Sequence, residues 1–208
     1  MFTGIVTEVG KVKRLVRKAG VVRLEILCER TLKGVNLGDS VAVNGVCLSV
    51  VGSDGYLSFD VVGNTFKNTS LKRLRPAMPV NLENALKAGD SMGGHMVSGH
   101  VDGERTVKKN RKTADGWVLD IAAGPGDEKY LLPKGSVAVD GVSLTIGEVS
   151  RGSFRIFLIP HTLCNTVLPS RKAGDHVNVE FDMAAKHAAR KTAAGAITRN
   201  MLIEKGFL

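Results

Sequence analysis

Long hydrophobic runs are missing from this chain of 208 residues. Apolar residues make up 43% of it, enough for a packed core, but no stretch approaches the ~20 residues of a membrane span. The opening MFTGIVTEVG has no basic segment leading into an apolar one, so no secretory signal is expected. Cysteine is scarce. Cys28, Cys47 and Cys164 are odd in number and far apart, which excludes a disulfide framework and points to a reducing, cytoplasmic compartment. None of them has a partner at zinc-site spacing, so no metal is expected. Aromatics total ten (seven Phe, two Tyr, one Trp), few for a platform that stacks nucleic-acid bases. No Walker loop, HExxH or ordered Ser-His-Asp set occurs.

Positive charge, by contrast, is in excess. The net charge is +9, but the basic clusters around Lys11–Lys18, Lys72–Arg75 and Lys108–Lys112 each stand beside a turn signal. They are read as solvated loops and not as a nucleic-acid surface.

What the chain does have is itself twice. SVAVNGVCLSV at 40–50 returns as SVAVDGVSLTI at 136–146, identical at seven of eleven positions. MFTGIV (1–6) returns as MVSGHV (96–101), NTFKNTSL (64–71) as HTLCNTVL (161–168), and VNLE (80–83) as VNVE (177–180). The order is kept, and the offset drifts only from 95 to 97. These are two copies of one domain.

Each copy is rich in strand signals. Asn44-Gly45 and Asp140-Gly141 sit between alternating apolar residues, the signature of a type I′ hairpin. YLSFDVV, WVLDIA, FRIFLI and VNVEF read as further strands between Gly, Pro, Asp and Ser. About six short strands per copy predict an all-β chain of small closed barrels, since closure removes exposed sheet edges. The expected domains are 1–95 and 96–184, followed by a tail at 185–208. The Ala-rich run 183–205 predicts a helix, capped by Asp182 and ended by Gly206. Its thin apolar stripe of Ile197, Met201 and Leu202 is read as an oligomer contact in preference to a frayed tail.

The repeats also mark where chemistry would sit. Thr3, Gly4, Ile5 and Val6 correspond to Ser98, Gly99, His100 and Val101. Cys47, Leu48 and Ser49 correspond to Ser143, Leu144 and Thr145, and the stretch from Asp60 to Thr65 corresponds to that from Leu158 to Thr162. Hydroxyls and backbone groups beside glycine suit a flat, polar, neutral ligand, one per copy. His95 and His100 are five apart, which on a strand puts them on opposite faces and argues against a shared metal. His100 for Ile5, Cys47 for Ser143, Lys134 for Gly38 and Asp182 for Ala85 are asymmetries that would let two similar pockets play different roles.

Taken together, MFTGIVTEVG, SVAVNGVCLSV, NLENALKAGDSMGGHMVSGHVDG and KGSVAVDGVSLTIGEV resemble the riboflavin synthase family over roughly residues 1–182. The resemblance implies two six-stranded Greek-key β-barrels in tandem, a C-terminal helix, and a homotrimer with active sites between subunits. It implies that two molecules of 6,7-dimethyl-8-ribityllumazine react by four-carbon transfer, without a cofactor, to give riboflavin and 5-amino-6-ribitylaminopyrimidinedione. Lumazine synthase is a partner it suggests, and neither nucleic acid nor membrane is. Carried over, the ligand contacts are Gly4, Ile5, Val6, Cys47, Leu48, Ser49, Asp60, Val61, Val62, Gly63, Asn64 and Thr65 in the first barrel. In the second they are Gly99, His100, Val101, Lys134, Ser143, Leu144, Thr145, Ile159, Pro160, His161, Thr162, Leu163 and Cys164. Ser40, Cys47, His100, Ser143 and Asp182 match positions tied to catalysis. Asn64 departs from the glutamate usual there and loses a charge. The rival readings are a fluorescent lumazine- or flavin-binding antenna of the same fold, and a basic RNA-binding barrel.

Overall fold

A computed structural model describes residues 1–114, 116–193 and 203–207. Twelve strands form two closed antiparallel barrels with the same strand order. The first holds β1 (Glu8–Lys18), β2 (Val21–Leu27), β3 (Ser40–Val43), β4 (Val46–Gly52), β5 (Leu57–Val62) and β6 (Pro79–Asn84) in the order β1-β2-β5-β4-β3-β6. The second repeats this Greek-key order with β7 (Gly103–Thr113), β8 (Gly116–Ala122), β9 (Ser136–Val139), β10 (Val142–Ser150), β11 (Ser153–Leu158) and β12 (His176–Phe181).

Alternation drives closure. On β4, Val46, Leu48 and Val50 are buried while Cys47 and Ser49 face outward, the period of two that a half-buried strand requires. The inward residues form one core per barrel, built around Leu24, Ile26, Val43 and Phe59 in the first and Leu119, Ile121, Val139 and Phe154 in the second. Register shifts at Val12/Arg14 and Val50/Gly52 recur at Val107/Lys109 and Ile146/Glu148. Such bulges bend strands enough to close a small barrel. Asn44 and Gly45 have φ of 45° and 78°, and Asp140 and Gly141 have 44° and 78°, as the type I′ hairpins require.

Those two hairpin tips meet. They help hold the barrels together through a buried polar network written twice. Asn81 Nδ2 donates to the Asp140 carbonyl at 2.9 Å, and Asn178 Nδ2 donates to the Asn44 carbonyl at 2.8 Å. The Asn81 side-chain oxygen also accepts the Val167 N–H at 2.9 Å, and that of Asn178 accepts the Ser70 N–H at 2.7 Å. Beside this network lies a third apolar cluster of Phe2, Ala42, Val97 and Ala138, where Phe2 and Val97 exchange backbone hydrogen bonds of 2.8 and 3.0 Å.

After β5 comes the helix α1 (Gly63–Asn68), and after β11 its counterpart α2 (Pro160–Asn165). Both were hidden behind the hydroxyl pattern, and α2 puts its N-terminus at a cavity. α3 (Met183–Ala193) begins where the sequence predicts, with Asp182 Oδ1 accepting the Ala184 N–H at 3.0 Å. Gly206 has φ of 74° and donates to the Ile203 carbonyl at 3.1 Å. Ile197, Met201 and Leu202 lie outside the described residues. Among the described residues no helix is long and apolar enough to cross a membrane.

Candidate functional site

Ser143 marks the better-formed site. A cavity of 360 Å³ opens on the outer wall of the second barrel. It is lined by Ser136, Val142, Ser143, Leu144 and Thr145 from β9 and β10, and by Ile159, His161, Thr162, Asn165 and Thr166 around α2. Its remaining wall comes from Gly4, Ile5, Val6, Gly93 and Gly94. A hydroxyl-lined cleft of this size suits one bicyclic polar molecule.

That wall corrects one expectation. Gly4, Ile5 and Val6 belong with the second barrel and not the first. The Gly4 carbonyl accepts the Ser143 N–H at 2.7 Å, and Val6 packs on the second core. Reciprocally, Gly99, His100 and Val101 belong with the first barrel. The Gly99 carbonyl accepts the Cys47 N–H at 3.0 Å, and Val101 packs on the first core. Strand neighbours cannot reveal this, because each three-residue segment leaves its own barrel and returns, at Thr7 N–H to the Leu82 carbonyl and at Asp102 N–H to the Val179 carbonyl. The crossing needs glycine. Gly4 and Gly99 have φ of 77° and 81°, and a Cβ on either would stand 2.5 Å from the Cβ of Ser143 or Cys47.

The Cys47/Ser143 difference has a local cause. The Ser143 hydroxyl is 2.7 Å from His95 Nδ1, whereas Cys47 packs against the apolar cluster of Phe2, Ala42, Val97 and Ala138. His95 is the residue that sequence reasoning missed. It has no repeat counterpart, and neither histidine lies on a strand. Burial holds the His95 imidazole below its ordinary value, opposed by the charges of Asp182 and Glu180. With a neutral ring whose Nδ1 is unprotonated, Ser143 donates to it. His100 is exposed, its N–H on Ser98 Oγ at 3.1 Å.

The remaining predicted residues are spread over both barrels and their flanking helices. Ser40 pairs across the ladder with Ser49, as Ser136 does with Thr145. Asp60 is held by Arg23 at 2.5 and 2.8 Å, and that hydrogen-bonded cation keeps its carboxyl below the usual range. Val61 is buried in the first core and Val62 is exposed beside it. Gly63, Asn64 and Thr65 open α1, where Asn64 Oδ1 accepts Asn68 Nδ2 at 2.9 Å. Lys134 sits at φ of 66° with its N–H on the Ile146 carbonyl at 2.7 Å. Pro160 starts α2, Leu163 packs on the second core and Cys164 is exposed. Asp182 caps α3 and acts on His95 through its charge. Ser136, Val142, Gly93, Gly94, Asn165 and Thr166 complete the cavity and were not foreseen. Ser136 could have been, as the repeat image of Ser40. Among the described residues no group of His, Cys, Asp and Glu is arranged to hold a metal ion.

The lumazine binding domain family matches residues 3–85 and 98–182. The class is therefore a protein of two lumazine-binding domains. Over its full length the chain is 39% identical to the riboflavin synthase of Bacillus subtilis, covering 100% of each. It is 40% identical to that of Actinobacillus pleuropneumoniae, covering 90% of this chain and 87% of the other. The solved structure of LumP complexed with 6,7-dimethyl-8-(1'-D-ribityl) lumazine superposes with a TM-score of 0.78 at 28% identity, covering 86% of this chain and 98% of that one. This chain belongs to the riboflavin synthase family of enzymes.

Proposed function

We propose that the protein dismutates two molecules of 6,7-dimethyl-8-ribityllumazine, one per barrel site. A four-carbon unit passes from one ring to the other, giving riboflavin and 5-amino-6-ribitylaminopyrimidinedione. Every atom of the two substrates is found in the two products, so the reaction calls for no oxidant, reductant or cofactor. The observation that carries this reading is the hydroxyl-lined cavity at Ser143, whose hydroxyl meets the half-buried His95, in a chain of this family.

The chemistry fits the site. The 7-methyl group of the lumazine is acidic because its carbanion delocalises into the ring. Neutral His95, through Ser143, is placed to accept or return that proton, and the hydroxyls of Ser136 and Thr145 to stabilise the anion. Cys47 or its neighbouring hydroxyls serve the addition step at the first barrel. Holding two rings in register supplies most of the rate, since oriented pairing is worth ~7–11 kcal/mol. Ile5 and Ile159 are 46% and 61% exposed at the cavity rim. Such apolar side chains favour a second ring and a neighbouring subunit as cover, in a trimer organised by the C-terminal helix.

The test is to mix the protein with 6,7-dimethyl-8-ribityllumazine alone and follow riboflavin absorbance. One riboflavin per two lumazines consumed supports the reading. Tight, fluorescent binding without turnover favours the second reading, a binding protein like the LumP complexes, and makes Asn64 the first residue to restore to glutamate.

A further inference from the structure

The repeated VNLE and VNVE segments end in Glu83 and Glu180, and neither carboxylate lines the cavity at Ser143. Both are buried, at 6% and 5% exposure, and among the described residues neither is in an ion pair. Each instead collects three donors from one short segment. Glu83 accepts Thr3 N–H at 2.7 Å, Thr3 Oγ at 2.8 Å and Gly4 N–H at 3.1 Å. Glu180 accepts Ser98 N–H at 2.7 Å, Ser98 Oγ at 2.7 Å and Gly99 N–H at 2.9 Å. The peptide gripped in this way is the one that crosses. Gly4 goes on to accept from Ser143, and Gly99 from Cys47.

We propose that Glu83 and Glu180 are crossed positioning residues, each standing in one barrel and setting the ligand site on the other. The inference rests on the lumazine sites proposed above. A buried carboxylate without a cation is costly to keep, and glutamine would fill the same volume uncharged. What the charge adds is strength in three hydrogen bonds to a segment that must cross between barrels through glycine. Burial raises the Glu83 carboxyl above its ordinary value against those hydrogen bonds, so keeping a charge there costs stability. The wiring makes the two sites interdependent within one chain. The second barrel's cavity wall is fixed by a carboxylate on β6 of the first, and Cys47 of the first is seated through a carboxylate on β12 of the second.

The test uses the full-length, ¹⁵N-labelled protein as wild type, Glu83→Gln and Glu180→Gln. Amide exchange at Ser143 and Cys47 is measured without ligand, and the same two amides are then followed during titration with 6,7-dimethyl-8-ribityllumazine. Glu83→Gln is expected to speed exchange at Ser143 about tenfold and to weaken lumazine binding there about tenfold, leaving Cys47 within about twofold, as for one weakened charged hydrogen bond. Glu180→Gln should give the mirror image. Melting temperatures should stay within about 4 °C of wild type. An effect on each glutamate's own barrel, on both sites equally, or on neither overturns the proposal. If a glutamine variant fails to fold, Glu83→Asp and Glu180→Asp keep the charge with a shorter reach and must show the same crossed pattern. A wild-type protein whose amides ignore lumazine overturns the lumazine reading, while the ligand-free exchange still decides whether the carboxylates act across the barrels.

Discussion

His95 Nδ1 stands 2.7 Å from the hydroxyl of Ser143 at the wall of the second barrel's cavity. Replacing either group should slow riboflavin formation without abolishing it, because positioning of two rings remains. Ser143→Ala and His95→Gln are each expected to lower kcat on the order of 100-fold, the low end of what a general acid–base group supplies. Steady-state rates at saturating lumazine check this. A loss confined to KM would show that the pair only binds.

The pH dependence has a definite sign. Burial depresses the His95 pKa, so the ring stays neutral below the ordinary histidine value near 6.5. The folded protein therefore binds fewer protons there than the unfolded chain. Stability contributed by His95 is complete above about pH 6.5 and falls as pH drops below it. The acid limb of the rate profile should lie below 6.5 and disappear in His95→Gln.

Asp182 does two things that one pair of variants separates. Its Oδ1 caps α3 at 3.0 Å, and its charge raises the His95 pKa against burial. Asp182→Ala should cost about 1 kcal/mol through the lost cap. Asp182→Asn should keep the cap, yet move the acid limb to lower pH as far as Asp182→Ala does. Thermal melts and rate profiles of both variants make the comparison.

The Asn44/Asp140 difference between the repeats follows from Arg171. Asp140 Oδ2 accepts Arg171 at 2.6 and 3.0 Å, completely buried. The repeat position of Arg171 in the first copy is Leu74, also buried. A carboxylate at 44 would lack the arginine that Asp140 has. Asn44→Asp is therefore expected to destabilise by about 3 kcal/mol at neutral pH, and less at low pH, where the new acid is protonated. Denaturant unfolding at pH 7 and pH 4.5 would show it.

Cys47→Ser makes the first barrel match the second, but only on paper. The new hydroxyl would pack against Phe2 and Val97, and at this half-buried position a hydroxyl without a partner costs about 1 kcal/mol, the low end for an unsatisfied group. The expected result is a lower melting temperature with turnover reduced less than tenfold. Complete loss of turnover in a folded protein would instead make the thiolate the nucleophile.

Much of this architecture was legible because it is periodic or local. Alternation gave β4 and β10, Asn44-Gly45 and Asp140-Gly141 gave the hairpins, and Asp182 gave the start of α3. Repetition gave two barrels of one kind and pointed at Ser143, Cys47 and their neighbours. What stayed hidden was either unrepeated or depended on distance in space. His95 has no image in the other copy, so nothing in the repeat distinguished it. The helices α1 and α2 are six residues each, too short for helical periodicity to register.

The residues themselves determined the strands, the turns and the hydroxyl-rich segments, since those follow from side-chain period and backbone preference at neighbouring positions. Only the tertiary structure decided which segment serves which site. Gly4 and Gly99 each lie against the barrel of the other repeat, held between a buried carboxylate of their own repeat and a backbone N–H of the other. Partners 52 to 139 positions apart along the chain leave no periodic trace, and so the crossing is a property of the packed molecule alone.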